Sequence, residues 1–170
     1  MKKSLGPIVS SAHLAEGQLP SLSELEFGLI LAHNAFARWM VRCMTAAGAP
    51  GLNALDIMVL HSVNHRARPK RLADLCLVLN IEDTHLVTYG LKKLEGLKLV
   101  KSGREGKERV VTITPKGAEL CARYGEIRNE LLVNPLAALG LAKANLSEVA
   151  AELRALSGHY DQAARAAASL

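Results

Sequence analysis

Apolar residues recur in steps of three and four along the first third of the chain: Leu25, Leu29, Ala32, Phe36, Trp39, Met40 and Cys43. That spacing predicts one face of a helix about 25 residues long. Ser21-Leu-Ser-Glu24 reads as the capping box that opens it, the hydroxyl accepting an orphan amide and the carboxylate reaching back. Gly48-Ala-Pro50-Gly51 closes it. Asn53 is placed to cap a second helix through His65, with Leu55, Met58 and Val63 among its apolar positions. A basic connector, Arg66-Ala-Arg-Pro69-Lys70, leads to a short third helix from Arg71 to Leu79. Asn80-Ile-Glu-Asp83 breaks the pattern and supplies a new cap. A fourth helix follows from Thr84 to Leu97, with Val87, Leu91 and Leu94 inward.

The pattern then changes. Leu99–Ser102, a glycine-rich turn over Gly103–Glu108, and Arg109–Thr114 read as strand, turn, strand. Thr114-Pro115 is a cap with proline at the first helical position. It opens a helix carrying Leu120, Tyr124, Ile127 and Leu131, which Asn134-Pro135 breaks. Asn145-Leu-Ser-Glu148 is another capping box. It opens a last helix with Val149, Leu153, Leu156, Tyr160, Ala163 and Ala167 on one side. The first 20 residues carry Gly6, Pro7, Gly17 and Pro20 without a clear period, and read as an arm.

Short helix, tight turn, helix, β-hairpin is the order of a winged helix-turn-helix. The fold class is therefore mainly α with a small β-hairpin wing, a winged helix-turn-helix lobe plus helical regions on either side. In such a lobe the second helix fits the width of the B-DNA major groove, and the hairpin lies beside it. Charge falls on the same unit. The chain has a net charge of +5, and between Arg66 and Arg109 there are 11 Lys or Arg against 6 Asp or Glu. The remainder holds 10 of each, so the whole excess sits in this segment. Thr84, His85, Thr88, Tyr89 and Lys92 turn away from the Val87/Leu91/Leu94 face. They are candidate contacts to double-stranded DNA: His85 and Thr88 to bases or phosphates, Tyr89 to phosphate or sugar, Lys92 to phosphate. Arg66, Arg68, Lys70 and Arg71 precede the third helix, and phosphates favour a helix start. Arg104 and Lys107 at the wing tip complete the set, with Arg109 as a cross-strand partner of a wing carboxylate. The bland alternative for each of these is a solvated face.

Composition narrows the class. At 170 residues, 49% apolar and 22% charged, the chain can bury a core, and with six aromatic residues that core must be aliphatic. No apolar run reaches the length of about 18 that a bilayer span needs. No apolar stretch of signal-peptide length follows Met1-Lys2-Lys3, so a secretory signal is not expected. Three scattered cysteines, Cys43, Cys76 and Cys121, fit a reducing, cytoplasmic setting. No Gly-rich phosphate loop, serine elbow, metal cluster or catalytic acid pair is legible, so neither an enzyme nor a cofactor is expected. His61 and His65 are four apart on one helix, but no Cys or carboxylate nearby completes a metal site.

The lobe resembles the MarR family of bacterial transcriptional regulators over about residues 22 to 132. The residues that carry it are Arg71-Leu-Ala-Asp-Leu, then Val87, Leu91, Leu94-Glu95 and Leu99-Val100, then Glu105-Gly-Lys107 and Val111-Thr-Ile-Thr114-Pro-Lys-Gly117. Two positions depart from the family. The wing has Glu105 and Lys107 where the family has Asp-x-Arg, which keeps the signs and loses the guanidinium fork. Lys98 stands where the family has glycine, which puts it at a positive φ or in a different turn.

The resemblance implies a homodimer reading a palindromic site, and the expected role is that of a repressor. Its domains would be an arm at 1–20, a dimerisation helix at 21–48, the winged helix-turn-helix DNA-binding region at 52–114 and C-terminal dimerisation helices at 115–170. Its effectors would sit between dimerisation helices and lobe. There His33, Trp39, Met40, Met58 and His61 would line a pocket for a small aromatic or weakly acidic molecule. Helix packing is the bland reading of those five. The competing function is a winged-helix protein–protein interaction module or antirepressor.

Overall fold

The computed structural model describes residues 19–138 and 145–170. The arm expected at 1–20 lies outside these residues except for Leu19 and Pro20. The chain divides into two compact units, Met1–Gly125 and Glu126–Leu170.

In the first unit, helix α1 (Pro20–Ala47) begins ahead of the expected capping box. Leu19 is its N-cap, with no side-chain cap bond, and Ser21 already lies inside the first turn. Proline explains this: at the first helical position its missing N–H costs nothing and its φ is preset. Gly48 ends the helix at φ 111, its N–H returning to the carbonyls of Met44 and Thr45. Only the last turns of α1 are buried, through Met40, Cys43, Met44 and Ala47, while Leu25, Ile30, Leu31 and Phe36 are exposed.

Helix α2 (Ala54–Asn64) is capped by Asn53 as its sequence predicts, and the cap proves to be a full capping box closed by Asp56. Asn53 Oδ1 accepts from the Asp56 N–H at 2.8 Å, and Asp56 Oδ2 accepts from the Asn53 N–H at 2.9 Å. Its core side is Ile57, Val59, Leu60 and Val63, with Leu55 and Met58 only half-buried, so the buried face is rotated from the expected one.

A 3-10 turn over His65–Ala67 leads to β1 (Lys70–Arg71), α3 (Leu72–Leu79) and α4 (Thr84–Gly96). Strands β2 (Val100–Glu105) and β3 (Glu108–Ile113) then form the hairpin. The sheet is antiparallel in the order β1-β3-β2. Two corrections follow. The basic connector ends in a strand, Lys70 opposite Val111 and Arg71 opposite Val110. The wing turn is Gly106-Lys107 rather than a six-residue loop, because Gly103↔Val110, Arg104↔Arg109 and Glu105↔Glu108 extend the ladder. Gly106 at φ 62 lets the chain reverse there. The core of this unit is aliphatic, as composition required: Met44, Ile57, Leu60, Val63, Leu75, Val87, Leu94, Leu99, Val100, Val110 and Val111.

Helix α5 (Pro115–Arg128) starts on the Thr114 cap, whose Oγ1 accepts from the Gly117 N–H at 3.0 Å. The expected break at Asn134-Pro135 does not occur. A π-helical turn (Asn129–Val133) runs into α6 (Asn134–Ala138), with the Asn134 N–H bonded to the Asn129 carbonyl. The widened turn accommodates the proline ring, which would clash with a carbonyl of a tight helix. Helix α7 (Leu146–Ala167) is capped by Asn145, whose side chain accepts from the Glu148 N–H. It has no buried residue, and Val149, Leu153 and Tyr160 are exposed along it.

Candidate nucleic-acid interface

Helix α3 ends at Asn80, whose φ of 52 is left-handed, a conformation asparagine tolerates. Asp83 then caps α4, its side chain accepting from the His85 N–H at 2.9 Å. The inner face of α4 is buried through Val87, Gly90, Leu91 and Leu94. Thr84, His85, Tyr89 and Lys92 are exposed on the other side. Thr88 is half-buried, and its hydroxyl donates to the Thr84 carbonyl at 2.9 Å, which leaves the oxygen free only to accept.

Two tethers fix α4 that the sequence reading missed. Lys93 Nζ reaches the buried Asp56 Oδ2 at 2.7 Å. Asp56 Oδ2 also accepts from the Asn53 N–H, so one oxygen serves both the α2 cap and this tether. Glu95 holds the other end. It accepts from Ser102 Oγ and from Arg109 Nη2, the latter at 3.4 Å, while Arg109 donates to Ser102 Oγ at 2.8 Å. Arg109 is thus neutralised by a carboxylate of α4 rather than one of the wing. Lys98 sits at φ 60, the positive value that is one of the two outcomes expected where the family has glycine.

The wing tip exposes Arg104 and Lys107, and no described carboxylate forms an ion pair with either. Arg71 is exposed but engaged, its Nε 2.5 Å from Glu108 Oε2. Arg68 is exposed, and Lys70 donates to the His65 carbonyl at 2.7 Å. Burial lowers the Lys70 pKa, neighbouring Arg68 and Arg66 lower it further, and Asp74 opposes them. The backbone that brings these cations together is strained, with Arg66 at φ 60 and Ala67 at φ 45. Left-handed geometry costs a non-glycine residue roughly 1–2 kcal/mol.

The five candidate effector residues are spread. Met40 is buried, Trp39, Met58 and His61 are half-buried, and His33 is exposed. Trp39 Nε1 and His61 Nε2 are buried without a hydrogen-bond partner. The His61 ring meets Tyr124 edge-on at 4.6 Å, and burial lowers its pKa from 6.5. Of the five, His61 alone lines the larger described cleft, which lies within the winged lobe. All three cysteines are buried and none is in a disulfide, and burial pushes the Cys121 thiol up to about 11, away from thiolate chemistry. Among the described residues no three His, Cys, Asp or Glu cluster as for a metal, and no helix is long and apolar enough to cross a membrane.

Residues 52–117 match a family described as a winged helix DNA-binding domain. No curated protein matches the chain. Among solved structures, NMB1585, a MarR family regulator from Neisseria meningitidis, superposes with a TM-score of 0.66 at 18% identity, over 84% of this chain and 95% of that one. Reduced AbfR bound to DNA does so with a TM-score of 0.63 at 19% identity, over 80% and 94%. NadR in complex with 4-hydroxyphenylacetate gives 0.59 at 23% identity, over 76% and 91%. The stretch that sequence pattern and geometry single out is thus the one that matches the winged helix DNA-binding family, set in a chain with the fold of the MarR family regulators.

Proposed function

We propose that this chain is a sequence-specific DNA-binding transcriptional regulator, a repressor that acts as a homodimer on a palindromic operator and is released by a small-molecule ligand. One observation carries the reading. The exposed face of α4, with Thr84, His85, Tyr89 and Lys92, lies in the same lobe as a hairpin whose Arg104 and Lys107 lack acid partners among the described residues. Thr88 contributes as an acceptor, and Arg68, Lys70 and Arg71 approach the phosphates at the start of α3. That AbfR was solved on DNA and NadR with a phenolic acid supports both halves of the proposal.

A second copy of the chain is the partner that suits the exposed apolar faces of α1 and of α7. Burying one large apolar side chain is worth about 1.5–3 kcal/mol. A DNA partner and three reduced thiols suit the cytoplasm.

The test is selection from random duplexes, followed by fluorescence anisotropy against salt. A palindrome with half-sites about one helical turn apart is expected. Log affinity should fall with log salt at a slope of about −5 to −9 for six to ten phosphates neutralised. A monomer indifferent to DNA in dilute buffer overturns the proposal and favours the protein-interaction reading.

A further inference from the structure

The end of α2, the 3-10 turn, β1 and α3 bound a cleft of about 900 Å³, within the size range of small-molecule sites. Part of its wall is apolar: Leu75 lines it, as do Leu77 and Val78, which stand 81% and 74% exposed. Soluble surfaces rarely leave neighbouring large apolar side chains this bare without a use. The rest is cationic, with Arg68, Lys70 and Arg71. Arg71 is taken by Glu108, but no described carboxylate forms an ion pair with Arg68 or Lys70.

These cations repel one another. After burial, Arg68 and Arg66 are what lower the Lys70 pKa, so an anion in the cleft would relieve a repulsion already present. Two successive left-handed residues, Arg66 and Ala67, hold the segment in this arrangement, and such strain collects at functional sites. His61 adds a further polar group. It lines the same cleft, its Nε2 is buried and unpartnered, and burial keeps the ring neutral near neutral pH. Asp74 and Glu105 also line the cleft. Their charges disfavour a dianion and select a singly charged head group.

We propose that this cleft binds a small amphipathic carboxylate, its charge on Arg68 and Lys70 and its apolar body on Leu77 and Val78, and that the ligand competes with DNA for those cations. The site lies inside the winged lobe, so release needs no movement of one lobe against another. The competition rests on the DNA-binding reading above; occupancy of the cleft does not.

The probe is octanoate, with octanol lacking the charge and acetate lacking the apolar body. Amide NMR titration of the full chain without DNA should show saturable shifts over residues 61–78 with octanoate. Arg68→Gln and Val78→Asp, both at exposed positions, should each weaken it about ten-fold or more, as should loss of either half of the probe. Thermal melts confirm that both variants fold. No saturable shift, equal affinity in both variants, or octanol binding as tightly as octanoate overturns the cleft. At fixed ionic strength octanoate should lower affinity for a selected duplex in the unsubstituted protein and not in Val78→Asp. Octanoate binding that leaves DNA affinity untouched overturns the competition. If the chain binds no duplex, the regulator reading falls, and the NMR titration still decides the cleft.

Discussion

Lys93 Nζ lies 2.7 Å from Asp56 Oδ2, and Asp56 is 1% exposed. One carboxylate thereby closes the cap of α2 and docks α4. The approach is tight, since a Cβ on Gly90 would stand 3.2 Å from Asp56 Oδ1. Removing Lys93 leaves a buried carboxylate with its cap amide but no cation, and breaking a buried pair this way costs about 3–5 kcal/mol. Lys93 is partly exposed, so the lower end applies. We expect Lys93→Ala to lower unfolding stability by about 3 kcal/mol, against about 0.5 for Lys92→Ala on the open side of α4. Urea denaturation of the two variants measures both.

Gly117 marks the place where α5 meets the root of the wing. A Cβ there would lie 2.1 Å from the Leu99 carbonyl oxygen and 2.7 Å from Ile113 Cδ1. That carbonyl is held, because it accepts from the Thr114 N–H at 3.1 Å and from Thr114 Oγ1 at 2.9 Å. Backbone cannot yield as a flexible side chain does. Gly117→Ala should therefore cost about 3 kcal/mol or more despite its gain in helix propensity, as overpacking does. An unchanged melting temperature would contradict this geometry.

Local chemistry made most of the fold legible. Asn53, Asp83, Thr114 and Asn145 each cap the helix their sequence announces, because a cap depends on residues three positions away or nearer. Lys98 was readable at its positive φ only through the resemblance. What escaped depends on distant partners. The strand Lys70–Arg71 is two residues long and exists through pairing with Val110 and Val111. The pairs Asp56–Lys93 and Glu95–Arg109 join residues 37 and 14 apart in the chain, a separation no periodicity encodes. The outward set on α4 was legible because burial of Val87, Leu91 and Leu94 fixes which side remains.

His61 links pH to stability. Burial lowers its pKa in the folded chain below the 6.5 of an exposed imidazole. As pH falls through 6.5 the unfolded chain takes up a proton that the folded chain still refuses. Stability is therefore full above that value, declines below it, and levels off once the folded-state pKa is passed. Replacing His61 with Phe keeps the ring contact with Tyr124 and removes the titration. The difference in stability between His61 and His61→Phe proteins should change between pH 7.5 and about pH 5, with the histidine protein losing more. Parallel denaturation curves at both pH values would contradict the assignment.

Arg104, Lys107 and Arg109 share one hairpin but differ in what already holds them. The guanidinium of Arg109 is spent on Glu95 and Ser102, whereas Arg104 and Lys107 have no ion-pair partner among the described residues. Each cation that neutralises a phosphate contributes about −0.9 to the slope of log affinity against log salt. Replacing Arg104 and Lys107 with Ala in both copies of a dimer should make that slope shallower by about 2 to 4, with similar losses on selected and unselected duplexes. Arg109→Ala should leave the slope nearly intact and instead cost about 1 kcal/mol or less of stability, the scale of an exposed ion pair. Salt titrations on the same two duplexes separate these outcomes. If Arg109→Ala reduced the slope as much as the double variant, the tether to Glu95 would have to open on DNA, and the division between structural and contacting arginines drawn from this geometry would fail.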